Sequence, residues 1–247
     1  MKALSIRRAM TAICSIMLAF VMLPSNANVV ISGTRVVYPA KEREVTIKLD
    51  NAGKEPALVQ VWVDCGNPKS LPDTADAPFL LTPPIVRIAA GGAQTLRMTY
   101  THDALPQDVE SVFWLNVLDV PPLPKAAESN FVQLAYRSRI KVFYRPVNLR
   151  GFPEDAPAAV TWTWVRTDQG IALRGHNPTS FNVSYNKTTL TLAGKSYSSK
   201  GGMIGPGASE DFILDGLDST PAKAASVRYE WINDYGAAVI ADTRLAN

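Results

Sequence analysis

The stretch Asn130–Pro146, NFVQLAYRSRIKVFYRP, determines how the rest of the chain is interpreted. Apolar Val132, Leu134, Tyr136 and Ile140 share one parity, and mostly polar residues occupy the other. Because successive side chains of a strand point to opposite faces, this pattern predicts a two-faced strand of unusual length. At about 3.3 Å per residue, a strand from Phe131 to Arg145 would span roughly 50 Å, more than one small sandwich needs. A strand that outruns its own sheet can offer its edge to another protein.

Residues 1–27 have the pattern of a signal peptide and are excluded from the fold. Lys2, Arg7 and Arg8 form a basic n-region, Ala9–Leu23 is the apolar core, and Ser25-Asn26-Ala27 supplies the small residues of a cleavage site. The apolar run is short for a membrane span, and no other run approaches about 20 residues. We therefore expect an exported mature chain that is not embedded in a membrane.

The net charge of the chain resides in this segment. The sequence has 25 Lys and Arg against 22 Asp and Glu, and removing Lys2, Arg7 and Arg8 leaves 22 of each sign. The pI of about 8.8 therefore belongs largely to the signal, and a nucleic-acid partner is not supported. The remaining length suits two modules of about 100 residues.

Short apolar or alternating segments bounded by turn residues fill the chain after the signal. Those before the long strand are VVISGTRVVYP, EVTIKLDN, ALVQVWVDC, IVRIAAGG, AQTLRMTYT and SVFWLNVLDVPP, with Pro68–Pro84 read as a surface connection. Those after it are AAVTWTWVRTD, GIALRGHNP, FNVSYNKTTLTLAG, DFILDG and VRYEWINDYGAAVIAD, with a Gly-rich turn at 201–207. We predict an all-β fold of two immunoglobulin-like sandwiches, residues 28–147 and 148–247, with a cleft between them.

The residues needed for catalysis or metal binding are sparse. His102 and His176 stand in separate turn sequences, no GxSxG motif occurs, and Cys65 is the one cysteine outside the signal. No catalytic residue, metal ligand or cofactor is therefore predicted. Cys65 is expected to be a partly buried thiol at a strand end, with a reactive or intermolecular thiol as the alternative.

Among the basic residues inside strand patterns, two are candidates for binding: Arg35 before Val36-Val37 and Lys141 in the long strand. One interpretation is a pair of solvated strand charges, because Lys and Arg are seldom buried. The other is that both face the cleft and bind a carboxylate through charge-assisted hydrogen bonds. Spacing along the sequence does not show that the two residues meet, so both interpretations stand.

Six motifs in this order resemble the PapD-type periplasmic chaperones of the chaperone–usher pilus pathway. They cover nearly all of the mature chain, and are TRVVYPA at 34–40, LTPPIVRI at 81–88, LPQDVESVFWLNVLDVPP at 105–122, RIKVFYRP at 139–146, HNPT at 176–179 and WINDYGA at 231–237. The resemblance implies two immunoglobulin-like domains in a boomerang (L-shaped) arrangement. It also implies a periplasmic protein that binds, folds and caps pilus subunits by donor-strand complementation and delivers them to an outer-membrane usher.

The resemblance also assigns roles to individual positions. Arg35 and Lys141 would anchor the C-terminal carboxylate of the subunit. The donor row would be Asn130, Val132, Leu134 and Tyr136, inserted into the subunit groove. An interdomain charge network would comprise Glu110, Arg145 and Asp234. The exposed strand further raises self-association of the free form as an expectation.

Two positions depart from the family pattern. Val109 replaces the usual Arg before Glu110-Ser111, so any interaction of that Arg is absent. Tyr136 replaces an aliphatic residue, which changes the groove that the row would fit. The short connection Pro121–Asn130 is similar to that of members that build rod-like pili.

Two other classes of function remain as alternatives. A structural or adhesive β-sandwich subunit of a surface fibre would carry an apolar donor arm at its N-terminus. The segment NVVISGTRVVYPA instead leads directly into the first family motif. An exported hydrolase lacks any acid–base or nucleophile constellation.

Overall fold

A computed structural model of the protein describes residues 29–123, 133–192, 195–217 and 226–245. The predicted signal peptide lies outside the described residues, as do Asn130 and Val132 of the predicted donor row.

The first domain contains nine strands among the described residues. They are β1 (Val29–Ile31), β2 (Arg35–Pro39), β3 (Glu44–Asn51), β4 (Ala57–Asp64), β5 (Phe79–Thr82), β6 (Ile85–Ile88), β7 (Ala93–Tyr100), β8 (Ser111–Val120) and β9 (Tyr136–Arg145). One sheet has the order β1-β3-β7-β5 and the other β2-β9-β8-β4-β6. Every pairing is antiparallel except that of β2 with β9, which is parallel. The all-β sandwich prediction is confirmed for this half.

Alternation along these strands builds the core between the two sheets. Leu49 and Leu96 from one sheet and Leu115 and Val142 from the other are fully buried. Each such side chain contributes about 1.5–3 kcal/mol by leaving water. Packing across the two inner faces therefore fixes which face of β9 points inward.

The long strand starts later than its sequence pattern predicts. β9 begins at Tyr136, whereas the alternation suggested a start near Phe131. Its antiparallel neighbour β8 ends at Val120, and the pairing between them ends at Asp119 with Tyr136. Pro121 follows β8 and has no N–H to donate to a ladder, and of the described residues just before β9, those at 133–135 have no ladder partner.

The second domain contains eight strands among the described residues. They are β10 (Thr161–Thr167), β11 (Gly170–His176), β12 (Val183–Leu192), β13 (Lys195–Ser198), β14 (Gly202–Ile204), β15 (Ser209–Ile213), β16 (Ser226–Ile232) and β17 (Ala238–Arg244). One sheet is β10-β11-β15, and the other is β13-β12-β16-β17 with β14 also paired to β12. Trp162 is buried at the centre of the core, with its ring centroid 5.3 Å from that of Tyr185.

Three sequence-based assignments of shorter elements were wrong. The predicted connection Pro68–Pro84 contains a 3-10 helix, Pro72–Thr74, and strand β5. The predicted turn at 201–207 contains β14, which pairs with β12. The backbone can approach β12 this closely only because residue 201 is glycine: a Cβ there would lie 2.6 Å from the Tyr185 carbonyl oxygen. The stretch VVISGTRVVYP is two strands in different sheets.

The link between the sandwiches runs from the end of β9 to the start of β10. It contains one short helix, α1 (Ala156–Ala159), with Pro157 in its first turn. The predicted boundary between Val147 and Asn148 falls in this link. Two segments of the second domain, Asn182–Ser184 and Ile232–Gly236, contact the first domain.

Candidate functional site

Arg35 and Lys141 lie side by side on neighbouring strands. The parallel pairing of β2 with β9 makes them direct partners in register, so both side chains project from the same face of the sheet. Each is partly buried. The structure therefore brings together two residues whose sequence separation gave no sign that they meet.

Both cations reach across the cleft to the second domain. Arg35 Nη1 donates to the carbonyl oxygen of Ile232 at 2.9 Å, and Lys141 Nζ donates to Ser184 Oγ at 3.1 Å. Phe143 lies beneath the Arg35 guanidinium, 5.5 Å from its carbon to the ring centroid. The cleft at this point is lined by residues of both domains.

The electrostatics of this pair favour an anion. Burial lowers the pKa of Arg35, although the charges of Asp234 and Glu110 oppose that shift. Burial and the neighbouring Arg35 charge lower the pKa of Lys141 to about 8. Among the described residues neither cation forms an ion pair, and Arg35 Nε is buried without a hydrogen-bond partner. A carboxylate bound here would supply the missing acceptor and neutralise both charges.

The three residues of the predicted interdomain network are in contact. Arg145 Nη1 and Nη2 donate to the two carboxylate oxygens of Asp234 at 2.6 and 3.0 Å, and Arg145 Nε donates to Glu110 Oε1 at 2.9 Å. Glu110 Oε2 in turn accepts from the backbone N–H of Asn182 at 3.0 Å. Burial would lower the pKa of Arg145, but Asp234 and Glu110 outweigh it and raise the pKa.

The described part of the donor row is exposed, whereas a residue of the same parity farther along the strand is buried. Leu134 and Tyr136 are 58% and 45% exposed, whereas Val142 on the same parity is fully buried. β2 pairs with β9 only from Lys141 to Arg145. The edge of β9 from Tyr136 to Ile140 therefore has no partner strand on that side among the described residues.

Sequence analysis missed a stacked network on the opposite face of β9. The Arg137 guanidinium lies 4.7 Å from the Trp62 ring centroid, and that of Arg139 lies 4.3 Å from Trp114. Such cation–π contacts fix long side chains on a sheet surface. The available signal was parity, because in VQVWVDC and FWLNV each Trp shares the parity of the polar residues and so lies with them on the outer face.

Asp64 completes this network beneath the arginines. It is fully buried and accepts from Arg139 Nη2 at 2.5 Å and from Asn116 Nδ2 at 2.7 Å. Burial alone would raise the pKa of Asp64, but hydrogen bonds from Arg139, Asn116 and the Gly66 N–H lower it. The outer face of β9 is therefore held by a buried charge, and its inner row is left free.

The remaining candidate positions are separate from the cleft. Cys65 is exposed, contrary to the partly buried expectation, and desolvation together with Asp76 raises the pKa of its thiol to about 11. His176 is the last residue of β11, not part of a turn, and its Nδ1 lies 3.1 Å from Ser209 Oγ. Val109 is partly buried beside Glu110.

The part of the chain that the structure describes lacks a metal site and a membrane-spanning helix. The structure there contains no group of three or more His, Cys, Asp or Glu side chains that could hold a metal ion. None of the helices in that part of the chain is long and apolar enough to cross a membrane.

Comparison with protein families identifies both domains. The model described as "Pili and flagellar-assembly chaperone, PapD N-terminal domain" matches residues 28–150. That described as "Pili assembly chaperone PapD, C-terminal domain" matches residues 155–243. The two matches together cover most of the chain.

Individual relatives match over nearly their whole length. The probable fimbrial chaperone YadV of Escherichia coli K12 is 42% identical over 239 residues, 95% of this chain and 97% of that protein. The chaperone FimB/FhaD of Bordetella pertussis is 42% identical over 235 residues, 93% of each. The crystal structure of YadV superposes with a TM-score of 0.77, covering 88% of this chain and all of that one. SafB of Salmonella enterica, solved in complex with the SafA pilin, gives 0.71 at 26% identity, with 91% and 99% covered.

Proposed function

Because the chain belongs to the PapD family of pilus assembly chaperones, we propose that its interdomain cleft anchors the C-terminal carboxylate of a pilus subunit. The protein is a fimbrial chaperone rather than a structural subunit of the fibre. Its family role is not enzymatic. We extend that role to this chain as a protein that catalyses no reaction and needs no cofactor.

The pairing of Arg35 with Lys141 is the observation that carries the proposal. Two partly buried cations lie side by side and form no ion pair within the part of the chain that the structure describes, where one buried N–H of Arg35 also has no acceptor. Desolvated like charges are costly to hold together unless an anion neutralises them. A chain-terminal carboxylate has two oxygens and fits a site with donors from two adjacent strands.

The open edge of β9 supplies the second part of the mechanism. A subunit strand would pair with the backbone from Tyr136 to Ile140, continuing the sheet beyond the start of the β2 pairing. Leu134 and Tyr136 would then enter the apolar groove of the subunit, with Asn130 and Val132 extending the row. The SafB–SafA complex, in which a relative holds a pilin, supports this use of the fold. Subunit binding would also cover an edge that otherwise invites aggregation.

We place this activity in the periplasm, with pilus subunits and an outer-membrane usher as partners. The signal pattern in residues 1–27 and the family role support that location. Self-association of the free form remains an expectation, because the same edge could pair with a second copy. The inference of rod-like pili rests on Pro121–Asn130, which lies mostly outside the described residues.

Two peptides that differ only at the terminus test the anchor. One is a synthetic peptide of alternating apolar residues with a free C-terminal carboxylate, and the other has the same sequence with a C-terminal amide. We expect wild-type protein to bind the free acid at least about tenfold more tightly, since losing a partner of a buried charge pair costs about 2–5 kcal/mol. Arg35→Ala or Lys141→Ala should abolish that preference while leaving the thermal unfolding transition intact.

A cellular assay provides the matched control. Tagged protein purified from the periplasm of cells that produce the fimbrial subunits should bring a stoichiometric β-rich partner, and Lys141→Ala should lose it. Lys187→Ala removes an exposed strand lysine of the second domain and should retain the partner. Equal recovery with Lys141→Ala and wild type would exclude the carboxylate anchor.

A further inference from the structure

The turn between β16 and β17 contacts the first domain at three alternate positions. The Ile232 carbonyl oxygen accepts from Arg35, Asp234 pairs with Arg145, and Gly236 lies against Thr34. The first two contacts are polar and can stretch. The third is a steric contact between a backbone and a side chain.

Gly236 approaches Thr34 more closely than any other residue type could. A Cβ built on Gly236 would lie 2.3 Å from Thr34 Oγ1 and 3.5 Å from Thr34 Cβ. Its φ of +81° is also in the region that glycine adopts without strain. Thr34 immediately precedes Arg35, so this contact is one residue away from the proposed carboxylate anchor.

The turn is held by its own hydrogen bonds and therefore transmits a displacement. Asn233 Oδ1 accepts from the backbone N–H groups of Tyr235 at 3.1 Å and Ala237 at 2.9 Å. The Gly236 N–H donates to the Asn233 carbonyl oxygen at 2.9 Å, and the Asn233 N–H donates to that of Ala237 at 3.0 Å. A group that pushes Gly236 away from Thr34 would move the Ile232 carbonyl with it.

We propose that Gly236 and Thr34 are positioning residues for Arg35. Their contact sets how closely the second domain approaches β2, and this distance keeps the Ile232 carbonyl within hydrogen-bonding reach of the Arg35 guanidinium. With Nη1 held by domain two, Arg35 Nε stays buried and has no acceptor among the described residues. The inference rests on the proposed function, because it assumes that Arg35 binds the carboxylate.

The test compares two glycine substitutions with the same backbone cost. Gly236→Ala adds a methyl group against Thr34, whereas Gly216→Ala adds one at a φ of +74° with no atom within 4 Å. Gly236→Ala should lower the preference for the free-acid peptide over the amide peptide at least about tenfold, because misplacing one partner of a buried charged contact is costly. Gly216→Ala should leave that preference unchanged.

Relief of the contact from the other side should restore the preference. Thr34→Ala removes the Oγ1 atom, so Gly236→Ala combined with Thr34→Ala should recover the preference to within about threefold of wild type, since paired residues in contact are not additive. Thr34→Leu places a larger side chain against an unchanged Gly236. It should reproduce the loss of preference expected for Gly236→Ala. This second variant also decides the question if Gly236→Ala does not fold.

A measurement without ligand separates the positioning step from the binding step. Nitroxide labels on Arg87→Cys and Lys187→Cys in a Cys65→Ser background report the distance between exposed sites of the two domains. Gly236→Ala should shift or broaden that distance distribution, and Gly216→Ala should not. If Gly236→Ala changes neither the distance distribution nor the peptide preference, the positioning role is wrong and the proposed carboxylate site is unaffected. Absence of any free-acid preference in wild type would overturn the proposed carboxylate site, and with it the inference.

Discussion

At the scale of single residues, Lys141 is costly for folding and useful for binding. Burial and the adjacent Arg35 lower its pKa to about 8, below the unperturbed value of about 10.4. Between those two values the unfolded chain binds more protons than the folded one. The free energy of unfolding therefore rises with pH in that window, and below about pH 8 the folded protein carries the full cost of a buried ammonium. A bound carboxylate recovers part of this cost.

The carboxylate preference should therefore depend on pH with a defined sign. Binding of the free-acid peptide requires protonated Lys141, so its preference over the amide peptide should be constant below about pH 8 and fall as pH rises further. The decline should approach tenfold per pH unit until the higher pKa of the complex is reached. Calorimetric titrations of both peptides between about pH 6.5 and 9.5 measure it.

The matched variant for this titration is Lys141→Arg. A guanidinium stays charged over the whole range, so its free-acid preference should not change with pH. A decline of equal size in Lys141→Arg would assign the pH dependence to a different group.

At the scale of elements, β9 has two faces with different tasks. Its outer face is fixed by Arg137 and Arg139 on Trp62 and Trp114, with buried Asp64 beneath. Its inner row passes from the core at Val142 to exposed Tyr136. Fixing one face limits the rotation of the strand, so the free row is presented to a partner in one orientation. That pre-organisation reduces the entropy lost on binding.

A charge on the inner row should prevent subunit capture without unfolding the chaperone. Leu134→Asp would bury an unpaired carboxylate in the subunit groove, and we expect subunit recovery from the periplasm to fall at least about tenfold. Leu134 is 58% exposed in the free protein, so the thermal unfolding midpoint should not change. Quantitative co-purification with the subunit measures the loss.

A second exposed leucine serves as the control for that substitution. Leu80 in β5 is 61% exposed and lies in the other sheet of the same domain. Leu80→Asp should leave subunit recovery unchanged. A similar loss with both substitutions would indicate a general effect of the added charge, and would contradict a specific role for the row.

The sequence predicted the faces of β9 better than its ends. Alternation within a strand fixes which of its side chains share a face. The end of a strand depends on where its partner strand ends. The start of β9 is therefore set by Pro121 after β8, and the sequence of β9 itself carries no sign of it. The four-residue β5 and the three-residue β14 are too short to produce a periodic signal. The pairing of Arg35 with Lys141 depends on a parallel contact between strands far apart in the sequence. For that reason it followed from resemblance to a family, not from spacing.

At the scale of the whole molecule, the two sandwiches share polar contacts that belong to neither core. Arg145 at the end of β9 joins Asp234 of the second domain to Glu110 of the first, and Glu110 also accepts from Asn182. Removing Arg145 would leave buried Glu110 without its ion-pair partner, and removing Asp234 would leave Arg145 with Glu110 alone. Breaking such a network is costly even where the intact network adds little net stability. The network should therefore couple the unfolding of the two domains.

Thermal unfolding of the whole chain should reveal this coupling. We expect one cooperative calorimetric transition for the wild type, because each domain loses interface contacts when the other unfolds. Asp234→Ala removes both carboxylate oxygens that Arg145 Nη1 and Nη2 contact, and it should separate the unfolding into two transitions.

Asp242→Ala removes a similar two-point arginine pair, with Arg228, that lies entirely within the second domain. That control should keep a single transition, because its exposed pair contributes nothing to the interface. If Asp234→Ala also unfolds in one transition at the wild-type ratio of calorimetric to van't Hoff enthalpy, the network does not couple the domains. In that case the other contacts between the domains, such as those of Arg35 with Ile232 and Lys141 with Ser184, would have to provide the coupling.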